Sequence, residues 1–338
     1  TLFDIDNINL IDYVFYISKS FVNRNYPYFT SLNKANIYAE NEFPNKKIVF
    51  IVYPDIYTED ISITCNCTIL NLGGDFLGAF DISQTCEIIG GSYSEIIVNH
   101  KTIDLKINCN YASLDLSDLH DLDIQANVIP NITLTNINYG NINSNTISSI
   151  TINSSVSDSF VKINSNNIGT SNILSNGITK IDGNTIENIY VQCEGTLYLN
   201  STKLSYFEIN QAGSKNYISS CIINNINIEN AGISTLEIFN SQINRNIFCN
   251  SINKLKLVNC VVDGQGQSAI NSGKGNLRVF LVNTSLLSFG GNAIEAANPA
   301  IELYCRGQCV SNANIGQNVN LRTPTSIIVD TSFGAEIQ

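Results

Sequence analysis

The densest group of ionisable side chains in the sequence is Asp115, Asp118, His120, Asp121 and Asp123. Two carboxylates that flank a glycosidic bond can hydrolyse it, one as acid and the other as base or nucleophile. The group also has a plainer reading. Leu114, Leu116, Leu119, Leu122 and Ile124 fall between the acids, and apolar–polar alternation marks a half-buried strand with its polar side in water. The plainer reading is adopted here: Asp115, Asp118, Asp121 and Asp123 are only weak catalytic candidates, and no catalytic residue is assigned.

Other chemistry is thin. The sequence has two histidines, His100 and His120, and five arginines, Arg24, Arg245, Arg278, Arg306 and Arg322, none beside the Asp group. Gly-x-Ser-x-Gly nucleophile elbows, phosphate-binding glycine loops and metalloprotease His pairs are absent. No cofactor and no metal site are expected. The ten cysteines are read as buried free thiols. Cys109 and Cys260 each follow a bend residue, where Cys acts as a small apolar side chain. In Cys65-Asn66-Cys67 the two thiols are expected on opposite faces.

The elements that must position these residues come from a repeat. Gln125-Ala-Asn-Val-Ile129, Asn143-Ser-Asn-Thr-Ile147, Asn164-Ser-Asn-Asn-Ile168, Asp182-Gly-Asn-Thr-Ile186 and Asn200-Ser-Thr-Lys-Leu204 share one pattern. Looser copies follow at Ser219, Asn240, Asn259 and Asn283, and earlier ones at Gly73, Gly90 and Asn108. Each unit reads as strand, tight polar bend, strand, with no room for a helix. Repeats this short and strand-rich form solenoids, in which each coil buries its apolar side chains against the next. Ile147, Ile168 and Ile186 should stack on one inner face. Asn127, Asn145, Asn166 and Asn184 should form a ladder of left-handed bends, a conformation that Asn tolerates.

At these residues the chain resembles the right-handed parallel β-helix proteins of the pectate-lyase and phage-tailspike type. The resemblance covers roughly residues 48–310. It implies an all-β, single-stranded right-handed parallel β-helix with coils of about 18–24 residues. A left-handed β-helix would keep a hexapeptide pattern throughout, which the wider intervals downstream break. In enzymes of this fold the acids usually come from neighbouring coils, so one sequence does not show their pairing. The calcium-and-arginine cluster of pectate lyases and the Gln–Asp–Arg set of pectin methylesterases have no match here.

Outside the repeat, residues 1–47 are read as an N-terminal cap and attachment segment. Leu10 to Phe21 is apolar and aromatic, a helix or a strand. Ser31 to Glu42 reads as an amphipathic helix, with Ser31 as N-cap and Leu32, Ala35 and Ala39 on one stripe. Ile48 to Tyr53 is the first strong strand. Residues 48–310 form the β-helix, and 311–338 a C-terminal strand and tail.

A net charge of −11 with 14% charged residues argues against a nucleic-acid partner, which would select a basic face. No run of 18 apolar residues appears, so no membrane span is expected. The 50 asparagines fit both an AT-rich genome and a ladder of bends. The resemblance and the missing catalytic set lead to one expectation: a virion structural or adhesive appendage of a bacteriophage, a fibre, spike or capsid decoration. It would be extracellular, homotrimeric, attached to other virion proteins through residues 1–47, and in contact with host surface polysaccharide. The alternatives are a polysaccharide depolymerase on the same fold and a cellular surface adhesin. Tyr190, Tyr198, Tyr206 and Tyr217 are candidates for an outward aromatic patch.

Overall fold

Alternation dictates the strands, and interruptions of the alternation dictate the corners. In Ile178–Val191, Thr179 and Ile181 are buried, the pattern slips at Gly183-Asn184-Thr185, Ile186 is buried, it slips again, and Ile189 and Val191 are buried. One extended segment thus turns two corners and supplies three faces. The next segment, Thr196–Ile209, pairs in parallel with three separate strands: Lys215–Ser219, Ile222–Ile223 and Ile226–Ile228. The computed structural model describes residues 13–99, 103–192, 194–210, 213–219, 221–229, 234–249, 252–273, 277–296, 301–322 and 328–329. The protein is an all-β parallel solenoid with one helix near its N-terminus among the described residues.

The chain gathers into two units. The first comprises residues 1–150 and 160–162, the second 151–159 and 163–338. In the first unit, the ladder begins before the expected boundary at residue 48. Tyr13–Ile17 pairs in full parallel register with Ile48–Val52, so the segment placed in the cap already belongs to the stack. Its apolar side chains are used internally. Phe15 and Ile17 are inaccessible, and Phe15 sits among Phe29, Tyr38, Phe43 and Phe50 with ring centroids 5.4–6.1 Å apart. Residues 1–12, including the start of the Leu10–Phe21 stretch, lie outside the described residues.

The helix α1, Leu32–Glu42, covers the adjoining apolar surface with Leu32, Ala35, Asn36 and Ala39. Ser31 caps it as expected, its hydroxyl accepting from the Lys34 amide at 3.3 Å. Asn36 replaces an apolar residue on the buried stripe because it has partners there. It donates to Thr64 Oγ1 at 2.9 Å and accepts from the Thr64 amide at 3.2 Å.

Further along the first unit, Tyr57, Phe76 and Tyr93 stack through the interior at 4.8 and 5.3 Å. Buried Asn71 locks the neighbouring turn. Its carboxamide donates to Gly74 O at 3.0 Å and Tyr93 Oη at 3.1 Å, and accepts from the Gly73 amide at 3.1 Å. Gly91, at φ +74°, lies against that side chain, where an added Cβ would meet Nδ2 at 1.9 Å.

The second unit has one core column per inward position. One runs Ile186, Leu204, Ile223, Ile243, Val262, Leu286, Ser311, each in register with the next. A second runs Ile189, Phe207, Ile226, Ile247, Ile270, Ile294. Coil length grows along the unit, from Ile178 opposite Thr196 to Lys254 opposite Arg278. Ile147, Ile168 and Ile186 are all buried, at 0, 1 and 0% exposure.

The expected asparagines form a hydrogen-bonded ladder, but its members do not take the left-handed bend. Asn127, Asn145, Asn166 and Asn184 sit in extended backbone, exposed at corners. They bond along the stack without bending left-handed: Asn184 Nδ2 donates to Asn166 Oδ1 at 3.1 Å, and Asn127 Nδ2 to Asn110 Oδ1 at 3.4 Å. Left-handed backbone occurs at Asn240, Asn259 and Asn283, with φ 50°, 52° and 47°. There the carboxamides chain from Asn283 to Asn259 at 3.2 Å and from Asn259 to Asn240 at 3.0 Å. Gly307, φ 73°, ends this ladder, because a Cβ would meet Asn283 Oδ1 at 2.0 Å. Asp118 and Asn136 make the same left-handed turn in the shorter coils, with φ 56° and 51°, whereas the corners at Asn127, Asn145, Asn166 and Asn184 form by slippage of the pleat.

Candidate functional site

The four acids of the first unit do not form one site. Asp115 points outward from Asp104–Ser117, in register with Thr133. Asp118 is a left-handed bend residue, φ 56°, whose carboxylate accepts from Asn136 Nδ2 at 3.2 Å. Asp121 and Asp123 point outward from Asp121–Thr135 on a different face of the coil. Asp123 stands opposite Lys106 and accepts from Asn141 Nδ2 at 3.0 Å. The sequence reading missed Asp104, which is in register with Asp121 and lies 3.3 Å from His120 Nδ1. The signal was available: 104 precedes 121 by 17 residues, close to one coil.

The tyrosine patch divides as well. Two corners separate Leu199 from Phe207, so Tyr198 and Tyr217 project from one face while Tyr190 and Tyr206 project from another. Tyr206 is committed locally: it donates to Glu208 Oε2 and accepts from Asn227 Nδ2 at 3.3 Å. Burial and the hydrogen bond to Glu208 hold its phenol above the ordinary range.

The first face of the second unit carries the largest ordered set of outward chemistry. One outward column reads Lys180, Tyr198, Tyr217, Glu237, Lys256, Phe280, Tyr304, each in register with the next. Tyr198 and Tyr217 stack at 5.0 Å and 12°, and Lys180 Nζ lies 5.6 Å from the Tyr198 ring centroid. Phe280 and Tyr304 stack at 4.7 Å and 9°. Period-2 projection makes the column, and parallel in-register pairing brings equal positions of successive coils together.

Charge is paired along this face. Glu237, 8% exposed, accepts from Lys254 Nζ at 2.5 Å and Lys256 Nζ at 3.1 Å. Burial works to raise its carboxyl, but the two lysine hydrogen bonds outweigh it and hold the group below the usual carboxylate range. The same ammonium groups approach rings, Lys256 at 5.3 Å from Phe239 and Lys254 at 5.7 Å from Phe280. Glu302 binds Arg278 Nε at 3.2 Å and Arg322 at 3.3 Å, and accepts from Tyr304 Oη at 3.0 Å. A shallow depression opens beside Tyr198 and Tyr217, lined also by Lys180, Asp182, Asn200 and Phe239. Such a surface offers apolar ring area with amide and charged groups at its margin, a pairing suited to a ligand with one apolar and one hydroxylated side.

No protein-family model, no curated protein and no solved structure matches this chain. Among the described residues, no group of three His, Cys, Asp or Glu is placed to hold a metal ion. No described helix is long and apolar enough to cross a membrane.

Proposed function

We propose that this protein is a structural and adhesive appendage component of a bacteriophage virion, a fibre, spike or decoration whose coils wind right-handed, and that it contacts surface polysaccharide. The observation that carries the adhesive part is the Tyr198–Tyr217 stack with its depression and polar margin. A sugar ring lays its C–H face on an aromatic ring, and its hydroxyls reach Asp182, Asn200 and Lys180 at the edge. The rigid parallel sheet beneath holds these groups without an ordering cost on binding. The virion assignment draws on the β-helix resemblance, as does a homotrimer attached through residues 1–47. In that segment Val22, Tyr26 and Ile37 remain 65, 49 and 57% exposed, the apolar area a neighbouring chain would cover.

Immobilised bacterial capsular and lipopolysaccharide glycans test the reading. Retention of the protein on at least one glycan, lost about tenfold when Tyr198→Ala and Tyr217→Ala are combined, is the expected result. Equal retention of the double variant would remove this face from the mechanism. Light scattering reports the trimer.

A second reading, a polysaccharide hydrolase, rests on Asp104 and Asp121. Side chains in register on adjacent strands are about 5 Å apart, close to the roughly 5–5.5 Å between the carboxyls of retaining glycosidases. Reducing-sugar release that Asp104→Asn or Asp121→Asn abolishes would establish it in place of a purely adhesive role.

A further inference from the structure

We propose that Cys65, Cys67 and Cys86 form an oxidation site that reacts with a small-molecule disulfide and ends as a crosslink between Cys67 and Cys86. Cys67 opens the strand Cys67–Asn71 and Cys86 opens Cys86–Ile89, in register on neighbouring coils of the first unit. Their sulfurs are 3.4 Å apart. Registered Cα atoms of parallel strands are about 4.8 Å apart, within the roughly 4.4–6.8 Å that a disulfide spans. The crosslink therefore needs side-chain rotation and no backbone movement. Ile48 and Leu105 occupy the positions on either side in this column, so each of the two thiols has only the other to join within it.

Access is the remaining requirement, and Cys65 meets it. Cys67 and Cys86 are 3 and 2% exposed, closed to a solute in bulk water. Cys65 lies in the bend just before Cys67 and is partly exposed, and its thiol donates to Asn36 Oδ1 at 3.3 Å. The adjacent Cys67 thiol holds the Cys65 thiol below its ordinary value, which favours the thiolate, the nucleophilic form.

The steps balance with oxidised glutathione as the two-electron oxidant. The Cys65 thiolate attacks one glutathione sulfur, forming a mixed disulfide and releasing one glutathione thiolate. The Cys67 thiol attacks Cys65 Sγ, its proton passing to the departing sulfur, and releases the second glutathione as a thiol. The Cys86 thiolate then attacks Cys67 Sγ and frees Cys65 as a thiolate. Two thiols become one disulfide, and one oxidised glutathione becomes two reduced. Three other buried thiols have no thiol neighbour in these contacts. Cys221 and Cys260 are engaged with backbone carbonyls, and Cys109 stands in register with Ala126.

The test exposes the reduced full chain to oxidised glutathione, then denatures it, alkylates it and maps its cysteine peptides by mass spectrometry. The expected product is a joined Cys67–Cys86 peptide pair, lighter by two hydrogens, with Cys65 recovered alkylated. Cys65→Ser should give the same crosslink about tenfold more slowly, since the one partly exposed thiol among the described residues is gone. Cys86→Ala, checked for its fold by circular dichroism, should stop with Cys65 oxidised. Recovery of both Cys67 and Cys86 alkylated from the treated wild type, or a crosslink confined to Cys305 and Cys309, would overturn the proposal. An unchanged rate in Cys65→Ser would overturn the part given to Cys65.

Discussion

Single residues matter most where the backbone or a buried charge leaves no alternative. Asn259 combines a left-handed φ of 52° with two carboxamide bonds, to Asn240 and from Asn283. Asn259→Val forces a β-branched residue into that region and should cost about 1–2 kcal/mol from strain alone, read as a lower urea midpoint. Asn259→Gly keeps the backbone free and should fall between the two. A valine variant as stable as wild type would mean the bend is not left-handed. Glu237 gives a pH-dependent test. Its folded-state value lies below the ordinary carboxyl value of 4.5, so its ion pairs stabilise the fold above that value and lose their contribution as pH falls through the lowered one. The stability gap between wild type and Glu237→Gln should be open at neutral pH and close in acid. A gap unchanged by pH would show that the carboxylate is not held by charge.

At the scale of elements, an inward column behaves as one apolar ladder. Ile186 is fully buried in register with Leu204. Ile186→Asp places an unpaired carboxylate between Ile and Leu coils and should cost several kcal/mol, the effective penalty for a buried ion. A thermal melt is the check, with Ile178→Asp as control, since Ile178 is 38% exposed on the outer side of the same strand. Equal losses from the two would put the register in error. The polar interior positions follow a rule of their own. Ser201 donates to Lys203 O at 2.9 Å, Ser241 to Phe239 O at 2.8 Å and Thr284 to Val282 O at 3.0 Å. In each case a small hydroxyl beside a corner folds back on a carbonyl two residues away along the chain.

At the scale of the molecule, a solenoid's stability is close to a sum of coil–coil interfaces, and its exposed ends need covering. Removing residues 1–45 takes away Tyr13–Ile17 and α1, and uncovers Ile48–Val52 with buried Phe50. A chain starting at Lys46 should melt lower than the full chain and associate at concentrations where the full chain does not, because an open parallel edge templates pairing. Light scattering with a parallel melt reads both. A shortened chain with unchanged melting and mass would show that the first rung adds nothing to the stack.

The sequence alone determined the architecture, because solenoid order is local and periodic. Ile186 and Leu204 occupy equal places in repeats 18 residues apart, and Ser31 with its apolar stripe marks a helix within its own eleven residues. Tertiary structure decided everything that depends on which residue of one coil lies against which of the next. Coil spacing drifts from 17 residues at Asp104 and Asp121 to 24 at Lys254 and Arg278, so sequence distance does not fix the neighbour. The stacked left-handed asparagines accordingly stand at Asn240, Asn259 and Asn283 rather than at Asn127, Asn145, Asn166 and Asn184. The pairing of Tyr13–Ile17 with Ile48–Val52 and the contact of Cys67 with Cys86 were hidden for a related reason. Hydrogen bonding between strands is non-local, and the identity of the partner is set only when the coils close on one another.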